Sequence, residues 1–275
     1  MDPGLLQASL DRATEHQVRS KAWRSEHPGI WFGASDLLGG VREAFLRRHA
    51  PMYPEAQSFN STEWGTAIGG HREKGLKSLG WDIQTHVWGT LFGVNVHGYI
   101  DANRPDWSKI QDGKAKAQGS FFFQQGRGFL AGPEDSAQVN IYRMLAAQMG
   151  HPAESAALEI WYGAMVPAVD YKTKKPLDSW MRARGQRMEE AEIAGMKCGG
   201  SLTTVAENAR ILLAAETKMA AGADWREVAK DVPDSCREMY GKQKCPHYCG
   251  ATLTCFAELG KDVRHIGRAR VVLPT

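Results

Sequence analysis

Gly98-Tyr99-Ile100-Asp101, then Asn103-Arg104-Pro105-Asp106, then Ile110-Gln111-Asp112-Gly113-Lys114: this stretch decides the fold. Residues 82–88, 93–102 and 109–116 alternate or run apolar as strands do. The Asn-Arg-Pro-Asp segment between the last two is turn chemistry, because Pro presets its own φ and Asn and Asp fold back on the local backbone. The predicted result is a β meander closed by a hairpin. Alternate residues of a strand share a face, so Asp112 and Lys114 point the same way. The hairpin returns Asp101 to the side of Asp112.

Two carboxylates converging at strand ends make a hard-oxygen site that suits Mg²⁺ or Mn²⁺. A cation there can activate water and offset charge on a phosphate. A nearby lysine can orient the nucleophile or stabilise developing charge. The plain alternative for Asp112 and Lys114 is an ion pair on an edge strand.

Outward from the meander, helical patterns cover residues 3–24, 36–48 and 61–79 before it, with Ser35 placed to cap the second and Gly80 to end the third. After it, residues 136–149 read as an amphipathic helix and 156–166 as a strand, and helices are predicted over 177–196 and 202–221. The order predicts an α/β fold with a mixed central sheet flanked by helices and a helical, cysteine-rich C-terminal region. The expected division is an N-terminal helix over 1–30, a core over 31–170 and a C-terminal region over 171–275.

The 275 residues carry a net charge of +3 and 43% hydrophobic residues, so bulk charge announces no polyanionic partner. The polar start lacks the apolar core of a signal peptide. No run approaches the roughly 20 apolar residues of a membrane helix. A cytoplasmic protein of a bacterial or phage-infected cell, without a membrane partner, is expected. No Gly-x-x-x-x-Gly-Lys-Ser/Thr segment occurs, so nothing suggests a nucleotide-driven motor.

Taken in order, these pieces resemble the PD-(D/E)XK nuclease superfamily, and within it the RecB-like branch that includes CRISPR-associated exonucleases. Ser35-Asp36-Leu37-Leu38 with Arg42 matches that branch's early helix. Gly65-Thr66-Ala67-Ile68, followed by His71 and Glu73, matches its glycine-led helix. Gly98 to Asp101 and Asp112-Gly113-Lys114 match the core, and Gln138-Val139-Asn140-Ile141-Tyr142 matches the helix after it. The resemblance covers residues 35–142 and implies a restriction-endonuclease-like core. It implies Asp101 and Asp112 as metal ligands and Lys114 as the catalytic lysine. Gln138 and Tyr142, one helical turn apart, would line a DNA channel. The family's usual first ligand is a His four residues after the glycine, a place Gly69 holds here. His71 and Glu73 stand in for it, and Glu63 is a further candidate.

Four of the five cysteines crowd into Cys236, Cys245, Cys249 and Cys255. Four thiolates suit tetrahedral Zn²⁺ or a [4Fe–4S] cluster. The resemblance implies the cluster, which in these nucleases staples the C-terminal tail to the core. The family's fourth cysteine precedes the basic residue of the early helix, where this chain has Gly40-Val41 before Arg42. Cys236 would replace it, and Zn²⁺ stays open. Cys198 stands apart.

Arg42, Lys109, Lys114, Lys116 and Arg127 are candidate phosphate contacts, and Phe121-Phe122-Phe123 candidate stacking faces. Core packing and a solvated face are the plain alternatives. The resemblance implies a Mg²⁺- or Mn²⁺-dependent exonuclease acting on DNA ends or single strands in recombination, repair or phage replication, with recombination or replication proteins as partners. The competing readings are a site-specific endonuclease and a DNA-binding or assembly protein that keeps the fold without activity.

Overall fold

The computed structural model describes residues 18, 21–51, 69–117, 133–163, 172–173, 180–182, 186–188, 198, 203–233 and 252–259. The predicted meander forms as β2 (Asp82–Leu91), β3 (Val94–Asn103) and β4 (Lys109–Ala117). β2 and β3 meet in a two-residue turn at Phe92-Gly93, where φ is +55° and +77°. Paired positive φ angles match the turn to the twist of the strands. β3 and β4 close through residues 104–108, where Arg104 N–H donates to Lys109 O at 2.9 Å.

Three further strands and one short parallel strand complete a mixed seven-stranded sheet among the described residues. β2 runs along one edge of β3 over nearly its whole length. The other edge of β3 is shared. β1 (Trp31–Gly33) pairs in parallel with Asn95, Val96 and His97, and β4 pairs antiparallel at Ala102 and Asn103 only. On that edge, Gly98-Tyr99-Ile100-Asp101 faces neither strand. β4 then pairs in parallel with β5 (Ser155–Gly163) along nine positions.

Helices pack on this frame. α1 has a described part over 21–26, and α2 spans Val41–His49. α3 has a described part over 69–78. α4 spans Pro133–Gln148 and lies against β2, β3, β4 and β5. α5 (Val205–Ala220) packs on α2, α6 (Trp225–Asp231) follows it, and α7 (Thr252–Leu259) contacts α6. The core is continuous through Phe32, Phe45, Ile100, Ile110, Ile141, Leu145, Leu158 and Leu212, each at most 1% exposed. No helix among the described residues is long and apolar enough to cross a membrane.

Two local expectations change. The helix expected over 36–48 splits into a 3-10 turn (Ala34–Leu37) and α2. Gly39-Gly40 divides them, and Gly40 is extended with ψ of 123°. Gly33, not Ser35, stands at the start of the turn, and its N–H donates to Asp36 Oδ2 at 2.9 Å. Within the predicted helix over 177–196 lie β6 (Trp180–Arg182) and β7 (Gln186–Met188), both antiparallel to β5. The backbone groups of an outer strand edge need partners, and that demand overrides a mild local helix preference. The sheet thus extends past residue 170.

Gly98 is dictated by close approach. A Cβ at Gly98 would sit 2.5 Å from Tyr142 Cε1 on α4. Gly98→Ala should therefore cost about 1–3 kcal/mol, the usual range for overpacking a filled core. Denaturant unfolding monitored by far-UV circular dichroism measures this. An unchanged midpoint would show that α4 shifts freely on β3.

Candidate active site

β3 and β4 stay hydrogen-bonded for two residue pairs and then part. Continuing the register would set Asp101 opposite Asp112. Instead the Asp101 side chain enters the opening, and its Oδ2 accepts the Gly113 backbone N–H at 2.8 Å. A carboxylate takes the place of a ladder carbonyl, which satisfies an N–H that would be costly to leave unpaired. Asp101 remains a quarter exposed, whereas the Asp112 side chain is 4% exposed.

On the α4 side of β4, alternation places Lys114 beside Asp112, as expected. Lys114 Nζ lies 2.9 Å from Asp112 Oδ2 and also donates to Gln138 Oε1. An ammonium only donates, so Gln138 must turn its oxygen toward Lys114. Its Nε2 is left to donate to Tyr142 Oη, at 2.7 Å. Gln138 and Tyr142 thus share one face of α4 and extend the carboxylate–lysine pair into a chain of four side chains.

The opposite side of β4 holds a second polar set. Arg72 on α3 donates through Nε to Glu159 Oε2 at 2.9 Å, and its Nη1 stands 3.6 Å from Asp101 Oδ2. Gln111 Nε2 also donates to Glu159 Oε2, at 2.8 Å. Gln84 Nε2 bridges Glu73 Oε1 at 2.8 Å and Asp101 Oδ1 at 3.2 Å. Glu73 therefore belongs to the network around Asp101, held off by one amide, while His71 stands exposed on α3. Among the described residues no three His, Cys, Asp or Glu side chains group closely enough to hold a metal by themselves.

Electrostatics follow from burial. Burial, reinforced by the charge of Asp101 and opposed by Lys114, pushes the Asp112 carboxyl up to about 6. Burial alone would lower the Lys114 ammonium, but the Asp112 charge and hydrogen bond outweigh it and hold Lys114 above its ordinary value. Burial, then Asp112 and Asp101, hold the Tyr142 phenol far above its usual value, so it stays neutral. Asp135, buried near the start of α4, adds negative field at both Asp112 and Lys114.

Other expected residues lie elsewhere. Arg42 is 7% exposed, and its Nε and Nη2 donate to the Val232 carbonyl at 3.0 and 2.7 Å. It ties α2 to the end of α6, because a buried guanidinium needs acceptors and a helix C-cap carbonyl offers one. Lys116 lies on β4. Glu63, Phe121 to Phe123, Arg127, Cys236, Cys245 and Cys249 fall outside the described residues. Cys255 is buried on α7, and neighbouring Thr254 donates to Pro51 O at 2.9 Å, which docks that helix near the end of α2. Cys198 is buried, and its thiol is pushed up to about 12, mainly by burial. Arg72, Glu159, Gln111 and Gln84 were not expected. Only Glu159 leaves a signal in the sequence, as a lone charge within Ala156-Ala157-Leu158-Glu159-Ile160.

No protein-family model matches the chain, and no curated protein does. Among solved structures, the chain is similar to SSO0001, at 15% identity over 93% of this chain and 96% of that one, with a TM-score of 0.45. It is similar also to a "putative exonuclease" from Eubacterium rectale, at 14% identity over 83% of this chain and 68% of that one, with a TM-score of 0.31.

In the metal-free chain, one aspartate should titrate near 6 in carbon-detected NMR, and its signal should be missing from Asp112→Asn. Lys114 pulls this value down, so Lys114→Gln should move the midpoint upward. The folded state holds this proton more tightly than the unfolded chain does. The group's contribution to stability is therefore complete below its ordinary value of 3.8 and is lost as pH rises through about 6. A midpoint near 4, or no response to Lys114→Gln, would refute this balance.

Proposed function

We propose that this chain is a Mg²⁺- or Mn²⁺-dependent DNA nuclease of the PD-(D/E)XK kind that degrades DNA from its ends. The observation that carries the reading is the opening of the β3–β4 ladder. It sets a buried Asp112 beside a part-exposed Asp101, with Lys114 against Asp112.

The donor set fits the cation. Mg²⁺ commonly takes one or two protein carboxylates and fills its other positions with water and substrate phosphate, so Asp101 and Asp112 suffice. Burial and mutual repulsion disfavour the charge on Asp112, and a cation shared with Asp101 would relieve both. Glu73 could join only if Gln84 gave way. When bound, such a cation lowers the pKa of coordinated water and offsets charge on the phosphate under attack. Lys114, held charged, serves as a hydrogen-bond donor and positive charge rather than as a base. Gln138 fixes its direction, and Tyr142 fixes Gln138. The preference for ends rests on the resemblance to RecB-like exonucleases. On the same basis, Cys236, Cys245, Cys249 and Cys255 would hold a [4Fe–4S] cluster or Zn²⁺ that staples the tail.

Purified protein should degrade linear DNA in Mg²⁺ or Mn²⁺ and spare covalently closed circles. Lys114→Ala should keep DNA binding and lose on the order of 100-fold in turnover, the scale of removing one stabilising donor. Rapid linearisation of closed circles would point to an endonuclease. DNA binding with no cleavage in either metal would favour the non-catalytic reading. Anaerobically prepared protein should contain iron with sulfide, or zinc, near one centre per chain, and elemental analysis finding neither would remove the cysteine proposal.

A further inference from the structure

Arg72 lies behind the Asp112-Gly113-Lys114 segment, on the side of β4 away from α4. Its side chain is 4% exposed. A Cβ built on Gly113 would stand 2.9 Å from Arg72 Nη1, 3.0 Å from Cζ and 3.1 Å from Cδ, so the guanidinium lies directly on the glycine backbone. Nε is committed to Glu159, itself braced by Gln111. Nη1 faces the Asp101 oxygen that also accepts the Gly113 N–H. Nη2 is buried with no hydrogen-bond partner among the described residues.

We propose that Arg72 is a positioning residue for the carboxylate pair, and that Gly113 is glycine because the guanidinium must lie flat against it. Arg72 touches neither Asp112 nor Lys114 in any described contact. It acts through two groups that define the opening of the ladder, the Asp101 carboxylate and the Gly113 peptide. Its planar fork spans Glu159 on β5 and Asp101 on β3 across the back of β4. That fixes the separation of the three strands where they would otherwise close or splay. A lysine has the charge but not the fork. A side chain at position 113 would displace the fork without removing it. This inference rests on the proposed cation site.

The two possible roles of Arg72 predict opposite signs. If Arg72 contributed only its positive charge, deleting it would tighten binding of a divalent cation. If it positions Asp101, deleting it weakens binding despite the lost repulsion. The test is Mn²⁺ binding to the metal-free full chain, followed by electron paramagnetic resonance of the free ion and by calorimetry. The proteins are wild type, Arg72→Lys, Arg72→Met and Gly113→Ala, each first shown folded by circular dichroism. All three variants should bind Mn²⁺ about 10- to 100-fold more weakly, the scale for losing a group that orients a metal ligand.

Arg72→Met takes the cation from buried Glu159 and leaves its Gln111 hydrogen bond. If that protein fails to fold, Arg72→Met combined with Glu159→Gln takes its place with the same expectation. Arg72→Met, or its double variant, binding as tightly as wild type or tighter would overturn the proposal. So would Arg72→Lys binding at wild-type affinity, because charge alone would then suffice. Wild-type protein that binds no Mn²⁺ would overturn the cation reading itself and this inference with it. Loss of binding confined to the variants separates the two cases.

Discussion

The hydrogen bond from Gly113 N–H to Asp101 Oδ2 is the constraint on which the site depends. A sheet interior normally satisfies each N–H with a carbonyl of the next strand. Here a side chain does so, and the two strands part after two pairs. The substitution plants a negative charge inside the opening and fixes its distance from Asp112 by backbone geometry. An unpaired buried N–H costs about 1–3 kcal/mol, so the strands gain by keeping Asp101 in place. The same bond spends one Asp101 oxygen, and the other is steadied by Gln84.

Two glycines make room on the two sides of this opening. Gly98 admits the Tyr142 ring from α4, and Gly113 admits the Arg72 guanidinium from α3. The partners differ in kind. Tyr142 is kept neutral by burial and by the nearby carboxylates, and passes its constraint through Gln138 to Lys114 as a chain of dipoles. Arg72 is a cation paired with a buried anion, Glu159. The α4 side thus orients the lysine, while the α3 side holds the strands and Asp101. Arg72 stands between Glu159 and Asp101, and Lys114 stands beside Asp112, while the carboxylates Asp101 and Asp112 adjoin each other as like charges. Pairing of this kind lets ionised groups persist away from water, and that like-charged contact is where it falls short.

Much of this frame is legible in the order of residues alone. Strand alternation and the Pro105 turn give the hairpin, and period two gives the shared face of Asp112 and Lys114. The i, i+4 spacing gives the Gln138–Tyr142 pair. What local pattern cannot carry is a partner supplied from far along the chain. Arg72 and Glu159 are 87 residues apart, and neither makes sense as a buried charge without the other. The acceptor of Arg42 is out of local reach for the same reason: Val232 lies 190 residues away. The strands at 180–182 and 186–188 form because β5 has an edge to pair, a fact belonging to the sheet and not to their own residues.

The balance at Asp112 links the fold to the proposed chemistry. Its carboxylate is buried because β4 runs between two strands and beneath α4, and that burial disfavours its charge. Lys114 offsets part of the cost, and Asp101 and Asp135 add to it. A lysine able to neutralise Asp112 fully would leave a satisfied ion pair with little affinity for anything else. A site lacking the lysine would protonate and fall silent near neutral pH. With Lys114 shared between Asp112 and Gln138, the carboxylate is neither fully paired nor fully discharged. A group in that condition gains most from a further positive partner, because the attraction is strong in a low-dielectric setting and most of the desolvation has already occurred. Packing that leaves Asp112 costly to the empty protein is therefore the same packing that would make it an effective ligand.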